Sequence, residues 1–234
     1  MIKIEKTEVY GWEAAIRGMR NPMNSWEKSD TGWVDAFTIP DKYWLEYDSE
    51  SGTAKVIGDN DYDLMKRLAQ AGSVHAKYRR MITVTVDITA PLYWWKEFDT
   101  YKVGTVANSC STMHKIHAKE LTLDDFSCER LFDGVDRVEG ESDMEYWENP
   151  TGVLEYVIRV MNHYRLKFLD TNDKRYWDQM IQLLPTSFNQ KRTVQMNYEV
   201  LVGMYRDRKN HKLDEWHTLC DWIRSLPYSE IITG

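Results

Sequence analysis

Two histidines and two cysteines in one part of the chain are residue types that bind metals or act as nucleophiles. His114 and His117 lie three residues apart on a possible helix, and Cys110 and Cys128 are near them in sequence. The spacing matches neither the HExxH pattern nor paired CxxC motifs, so we interpret the histidines as surface or hydrogen-bonded side chains and predict no metal. A nucleophilic Cys110 would need a histidine and an orienting carboxylate beside it, and a buried thiol is the commoner alternative.

A second set of polar residues follows a predicted strand and helix. Residues 81–89 alternate apolar and polar side chains, most of them β-branched, which predicts a half-buried strand. The Ala-Pro that follows ends the strand and favours a helix over 92–102. A polar turn comes next, with Asn108 and Ser111 in an Asn-x-x-Ser arrangement, and Lys102 before it can bind phosphate as a point charge. The Rossmann and P-loop glycine patterns are absent, so any nucleotide must be held another way.

This segment resembles the signature region of the flavin-dependent thymidylate synthases. In that family the same strand, Ala-Pro and aromatic helix start precede an Arg-His-Arg triplet and an Asn-Glu-x-Ser motif. The resemblance extends backwards to the helix around Asp63-Leu64-Met65 and its terminal Gly72. It extends forwards to Thr193–Asn197 and to Met204-Tyr205-Arg206, followed by His211 and Glu215-Trp216. These segments occur in the family's order at roughly similar spacings over most of the chain.

The chain departs from the family pattern at several positions. Tyr101-Lys102-Val103 stands where the family has Arg-His-Arg, and Ser109 replaces the motif glutamate. Met113 and Asn197 stand where the family has arginines that bind phosphate and flavin. Ser111 matches the motif serine, whereas Arg206 matches the arginine that contacts the uracil ring.

The resemblance implies an α+β fold with a central antiparallel sheet flanked by helices, a single domain over 1–234, and a homotetramer. It also implies an enzyme that transfers a one-carbon unit from methylenetetrahydrofolate to C5 of dUMP, or of a related pyrimidine deoxynucleotide. FAD would carry the hydride, and NADPH would be its source. Two alternatives stay open. The protein could hydroxymethylate the nucleotide, or it could be a non-catalytic relative that binds nucleotides or serves in assembly.

The resemblance also assigns the candidate site residues. The catalytic candidates are Arg206 and Ser111. The residues expected to bind the substrate are Ser111, Lys102 and Arg206. The residues expected to bind the cofactor are Tyr101, Lys102, Val103, Asn108, Asn197 and His211. A cation near the pyrimidine carbonyl would stabilise the charge that develops there as C5 becomes nucleophilic. The alternative for Arg206 is that it complements a helix C-terminus and faces water.

The remaining chain supplies the elements that must position these residues. We predict a strand over 2–9, a helix over 12–19, and a long irregular segment over 24–58 with one or two brief strands. Asn60 or Asp61 can cap the next helix. The acidic stretch 133–143 is most simply a solvated surface segment. The last third predicts four helices, over 154–168, 174–184, 192–205 and 213–223.

Composition narrows the class of protein. The 234 residues are 42% hydrophobic and 29% charged, as in a globular protein with a core. The net charge of -7 gives no overall footprint for nucleic acid or an anionic membrane, so we expect neither as a partner. No apolar stretch approaches the length of a membrane span. Three cysteines without CxxC spacing favour a reduced, cytoplasmic protein. The 10 Trp and 14 Tyr favour bulky core and oligomer contacts, or flat surfaces that stack a ligand.

Overall fold

The structure is a computed structural model that describes residues 2–39, 43–133 and 149–234. Contacts divide the chain into two compact units. The first unit consists of Met1–Lys3, Ile88–Thr100 and Asn108–Arg192. The second consists of Ile4–Asp87, Tyr101–Ala107 and Thr193–Gly234. The acidic stretch at 133–143 lies, except for its first residue, outside the described residues.

The structure contains seven strands and nine α-helices within the described residues. The strands are β1 (Lys3–Tyr10), β2 (Gly32–Asp35), β3 (Glu46–Asp48), β4 (Thr53–Val56), β5 (Thr83–Pro91), β6 (Val106–Ser109) and β7 (Asn189–Asn197). The helices are α1 (Trp12–Arg20), α2 (Asp59–Gln70), α3 (Leu92–Phe98), α4 (Thr112–Lys115), α5 (Pro150–Thr171), α6 (Lys174–Leu183), α7 (Tyr198–Arg208), α8 (Asp214–Ser225) and α9 (Glu230–Thr233). None of these helices has both the length and the apolar character that crossing a membrane requires.

Two sheets are present in the described chain. The larger has the strand order β1-β5-β7-β6, and helices accompany it, which confirms the predicted α+β fold with a central antiparallel sheet. In β5 the predicted alternation is also confirmed, since every second residue from Val84 to Ala90 is buried. The smaller sheet has the order β2-β4-β3, and both of its pairings are antiparallel.

The first unit has a core built mainly from two helices. α5 packs against α6, and the apolar stripe predicted for α5 supplies Leu154, Ile158 and Met161 to this core. Met180 enters from α6. α6 ends at Leu183, and Leu184 separates it from Pro185, so the helix stops at Pro185 as the sequence predicts.

In the second unit, a buried carboxylate holds the long segment that precedes α2. Asp61 is fully buried and accepts hydrogen bonds from Arg20 Nε (2.6 Å), Ser29 Oγ (2.7 Å) and Thr31 Oγ1 (2.7 Å). Burial alone would raise the pKa of Asp61, but these hydrogen bonds outweigh it and lower the pKa below its ordinary value. The side chain therefore serves as an internal anchor and not as the helix cap that we predicted. The backbone N–H groups of Asn60 and Asp61 bond instead to the carboxylate of Asp30.

Three other predictions about local structure are wrong. Residues 192–205 do not form one helix, because their first part alternates buried Val194 and Met196 with polar residues and so forms the end of β7. The long segment 24–58 contains three strands rather than one or two. The helix after β5 ends at Phe98, four residues before its predicted end, and the polar turn leads into β6.

Candidate functional site

Tyr101 and His211, both predicted to bind the cofactor, lie in one cluster of the second unit. Between them lies Arg208, whose Nε donates a hydrogen bond to the Tyr101 hydroxyl at 2.8 Å. The Arg208 guanidinium carbon lies 4.5 Å from the ring centre of Trp216 and 5.4 Å from that of Tyr101. Trp216 is fully buried on α8, so it offers Arg208 a fixed aromatic surface. Tyr101, the first residue of the Tyr101-Lys102-Val103 triplet, therefore has a guanidinium beside it, supplied by α7.

His211 completes this group, which we call the triplet cluster: Tyr101, Arg208, His211 and Trp216. The ring centres of His211 and Trp216 are 6.1 Å apart. His211 Nδ1 accepts a hydrogen bond from the Leu213 N–H at 3.2 Å, so a neutral His211 carries its proton on Nε2. The His211 N–H donates to the Arg208 carbonyl at 3.0 Å, which ties the turn to the end of α7.

The other two triplet residues face outwards. Lys102 is exposed, and Val103 retains 91% of its accessible surface. Gly104 follows with a φ of +77°, in the left-handed region that favours glycine. A Cβ at this position would lie 3.1 Å from Val200 Cγ2, so the backbone there runs close to α7. The described chain thus leaves Lys102 and Val103 accessible to a ligand.

A groove of about 290 Å³ lies beside the triplet, within the second unit. Its lining consists of Thr83, Gly104, Thr105, Val106, Gln195, Met196 and Asn197. The Thr105 Oγ1 atom is buried and has no hydrogen-bond partner in the described part of the chain. An orphaned buried hydroxyl of this kind is satisfied when a polar ligand or a water reaches it. The volume of the groove is at the small end of the range for ligand pockets.

Asn197 lines this groove, but its oxygen already has a structural role. Asn197 Oδ1 accepts a hydrogen bond from the Val200 N–H at 3.0 Å and caps α7. This cap ends the strand and starts the helix, because the side chain satisfies a backbone donor of the first turn. The amide nitrogen of Asn197 takes no part in this cap.

Arg206, the candidate for contact with the pyrimidine, is exposed near the end of α7. Its side chain retains 74% of its accessible surface and bonds through Nε to Asp207 Oδ1 at 2.8 Å. This hydrogen bond raises the pKa of Arg206 above its ordinary value. Arg206 is thus a permanently charged, solvent-accessible group. Arg208, two residues later, turns instead to the triplet cluster.

Ser111 and Asn108 belong to the first unit. Ser111 Oγ accepts a hydrogen bond from the His114 N–H at 3.3 Å and caps the short helix α4. Asn108 is exposed in β6. In the first unit the structure brings Ser111 close to the side chain of Gln190, which bonds to both neighbours of Ser111.

Two residues of these arrangements, Arg208 and Gln190, were missed by the sequence reasoning. Arg208 lies in an Arg-Asp-Arg-Lys run, which is typical of a helix C-terminus, so its charge alone carries no sign of a role. Gln190 lies in a segment without clear periodicity. Its contacts depend on pairing between residues about 80 positions apart, which no local pattern reveals.

Other parts of the described chain hold none of the predicted site residues. A larger cavity of about 1,020 Å³ lies in the second unit beside Arg20, Asp30 and Lys66. Arg20 is neutralised there by Asp61, and Lys66 pairs with Asp63 at 2.8 Å. No group of three His, Cys, Asp or Glu side chains among residues 2–39, 43–133 and 149–234 could hold a metal ion.

Comparison with known proteins identifies the architecture. No protein-family model matches the chain, and no curated protein matches it significantly. Among solved structures, it is similar to thymidylate synthase X from Helicobacter pylori, solved with FAD and dUMP, with a TM-score of 0.62. The identity is 13%, and the match covers 100% of this chain and 97% of the other. The fold is that of the flavin-dependent thymidylate synthases.

A second group of similar structures has a different stated activity. The UMP/dUMP methylase PolB from Streptomyces cacaoi, bound with 5-Br dUMP, matches with a TM-score of 0.56 and 13% identity. This match covers 98% of the present chain and 93% of the methylase. The same architecture therefore occurs in proteins described as synthases and as methylases of pyrimidine nucleotides.

Proposed function

We propose that the protein is an FAD-dependent enzyme that transfers a one-carbon unit from methylenetetrahydrofolate to C5 of dUMP. The fold, shared with thymidylate synthase X over nearly its whole length, supports this proposal. The observation that carries it is the triplet cluster. At the position where the triplet has lost its first guanidinium, Arg208 approaches from α7 and bonds to Tyr101 at 2.8 Å. A positive charge is thereby kept beside the proposed cofactor site.

The residues of the second unit fit a flavin nucleotide. Tyr101 offers an aromatic face and Lys102 an exposed ammonium for a phosphate, and the orphaned hydroxyl of Thr105 offers one more polar contact. Val103, Asn197 and His211 lie on or near the same turn and helix, and we propose that they line the cofactor. Asn108 is proposed separately as a further candidate for cofactor binding. When bound, reduced FAD would supply the hydride, with NADPH as its ultimate source.

The substrate side of the proposal rests on three residues. Arg206 is proposed to donate hydrogen bonds to a carbonyl of the pyrimidine, where it would stabilise negative charge as C5 becomes nucleophilic. Ser111 is proposed to bind the phosphate of dUMP through its hydroxyl. Lys102 is proposed, as a separate candidate, to bind phosphate through its charge. Each assignment stands separately and has its own variant: Arg206→Ala, Ser111→Ala and Lys102→Ala.

Flavin absorbance tests this proposal. The purified protein should be yellow, or should become so when soaked with FAD, and should retain flavin near one per chain after gel filtration. Hydroxymethylation would give the same flavin result but a different product, which mass spectrometry of the nucleotide distinguishes. A folded protein that stays colourless and binds no FAD would contradict the proposal and favour a non-catalytic nucleotide-binding or assembly protein.

A further inference from the structure

Polar residues occupy the first half of β7 on a face that is otherwise buried and apolar. Val194 and Met196 are buried on one face of this strand. Because side chains alternate along a strand, Arg192 and Gln190 lie on the same face. Both are only partly exposed. Partly buried polar side chains on such a face need hydrogen-bond partners, and other residues of the first unit supply them.

Three contacts hold Arg192 in place. Its Nη1 bonds to Asp99 Oδ1 at 2.7 Å, and its guanidinium carbon lies 4.1 Å from the ring centre of Trp95. Its Nε donates to Gln190 Oε1 at 3.0 Å. The Arg192 side chain retains only 14% of its accessible surface. A guanidinium fixed by an acid, an aromatic face and an amide has little freedom left.

The bond from Arg192 decides which way the Gln190 amide points. A guanidinium only donates hydrogen bonds, so the amide oxygen must face Arg192 and the amide nitrogen must face away. That nitrogen donates to the Cys110 carbonyl at 3.1 Å and to Thr112 Oγ1 at 3.0 Å. The Cys110 N–H, in turn, donates to the Lys191 carbonyl at 2.9 Å. Ser111 therefore lies between the two residues to which the Gln190 side chain is hydrogen-bonded.

We propose that Gln190 is a positioning residue for Ser111, oriented by Arg192. The inference rests on the proposed function, in which Ser111 binds the phosphate of the nucleotide. Ser111 Oγ accepts a bond from the His114 N–H, and this leaves the hydroxyl hydrogen as the group that donates to a phosphate oxygen. Gln190 sets where that hydroxyl lies, because it fixes the backbone before Ser111 and the side chain after it. The relay runs from Asp99 through Arg192 and Gln190 to the Ser111 loop, residues 110–112.

Gln190→Glu tests the relay with little change in shape. A carboxylate can still accept from Arg192, but it has no hydrogen to donate to the Cys110 carbonyl and places an acceptor against it. We expect faster amide hydrogen exchange in the Ser111 loop, measured without ligand, and about tenfold weaker dUMP binding by calorimetry. Deoxyuridine, which lacks the phosphate, should bind both proteins equally. Gln182→Glu makes the same change at an exposed position on α6 and should alter neither measurement.

A double-mutant cycle separates positioning from a general structural role. If Gln190 acts through Ser111, Gln190→Glu should cost almost no dUMP affinity in the Ser111→Ala background. Additive losses, or equal losses for dUMP and deoxyuridine, would overturn the inference. Unchanged exchange in the Ser111 loop would overturn it irrespective of any ligand. A parent protein that binds no dUMP would refute the proposed function and the ligand part of this inference. The hydrogen-exchange measurement would still show whether Gln190 holds the Ser111 loop in place.

Discussion

Replacement of Tyr101 by arginine, the first residue of the Arg-His-Arg triplet, should destabilise this protein. The Tyr101 hydroxyl accepts a hydrogen bond from the Arg208 guanidinium at 2.8 Å. Loss of a half-buried bond to a charged donor costs about 1.5 kcal/mol. The new guanidinium would lie within about 5 Å of Arg208, where repulsion costs roughly 1–3 kcal/mol for an effective dielectric constant between that of water and about 20. The total is about 2.5–4.5 kcal/mol.

Thermal unfolding of Tyr101→Arg measures this cost. For a chain of this size we expect the melting temperature to fall by roughly 5–15 °C. Tyr101→Phe keeps the ring and should lose only the hydrogen-bond part, about 1–1.5 kcal/mol. Val103→Arg is the matched control, because it adds the same charge two residues away on a side chain that is 91% exposed, and should stay within about 0.5 kcal/mol of the parent. If Tyr101→Arg proves as stable as Val103→Arg, Arg208 does not place a positive charge against residue 101.

Three further predictions concern the core, the substrate and the assembly. Asp61→Asn should cost about 3–5 kcal/mol, since it leaves the buried Arg20 without its counter-charge. Because the pKa of Asp61 is lowered in the folded state, its contribution to the free energy of unfolding is present above about pH 4 and is lost as the pH falls further. Denaturant titrations of the parent should show this acid-dependent loss, and those of Asp61→Asn should not. Arg206→Ala should weaken dUMP binding at least about tenfold without lowering the melting temperature, and unchanged affinity in calorimetry would remove Arg206 from the site. Light scattering at low micromolar concentration should give about four times the chain mass of 27.7 kDa, because α5 exposes apolar side chains such as Leu166 (61%) and Leu169 (52%); a mass of one chain would contradict the tetramer.

Strong local periodicity is what the sequence reveals well. β5 and α5 follow from alternation and from a helical stripe, and the end of α6 follows from Pro185. β7 was predicted as part of a helix because its polar residues, Thr193 and Gln195, are compatible with either period when the window is short. The pairing of this strand within the sheet decides the outcome, and such pairing is not visible locally.

In the candidate site, too, local sequence patterns predict some features, and long-range contacts determine the others. The position of Tyr101 in a turn beside a predicted cofactor site follows from motif order along the chain. Its partnership with Arg208 does not, since the two residues are more than 100 positions apart and meet only when α7 packs in the second unit. The hydrogen bonds from Gln190 to the Ser111 loop likewise join residues that are far apart in the sequence. Contacts of this kind depend on tertiary packing and not on propensity.

Release of tritium from dUMP labelled at C5 tests the proposed one-carbon transfer, because any transfer of a one-carbon unit to C5 must remove the hydrogen there. With FAD, a reductant and methylenetetrahydrofolate present, we expect protein-dependent release of tritium into water, strongly reduced in Arg206→Ala. No release above the protein-free background, from folded protein shown by calorimetry to be saturated with dUMP, would contradict it.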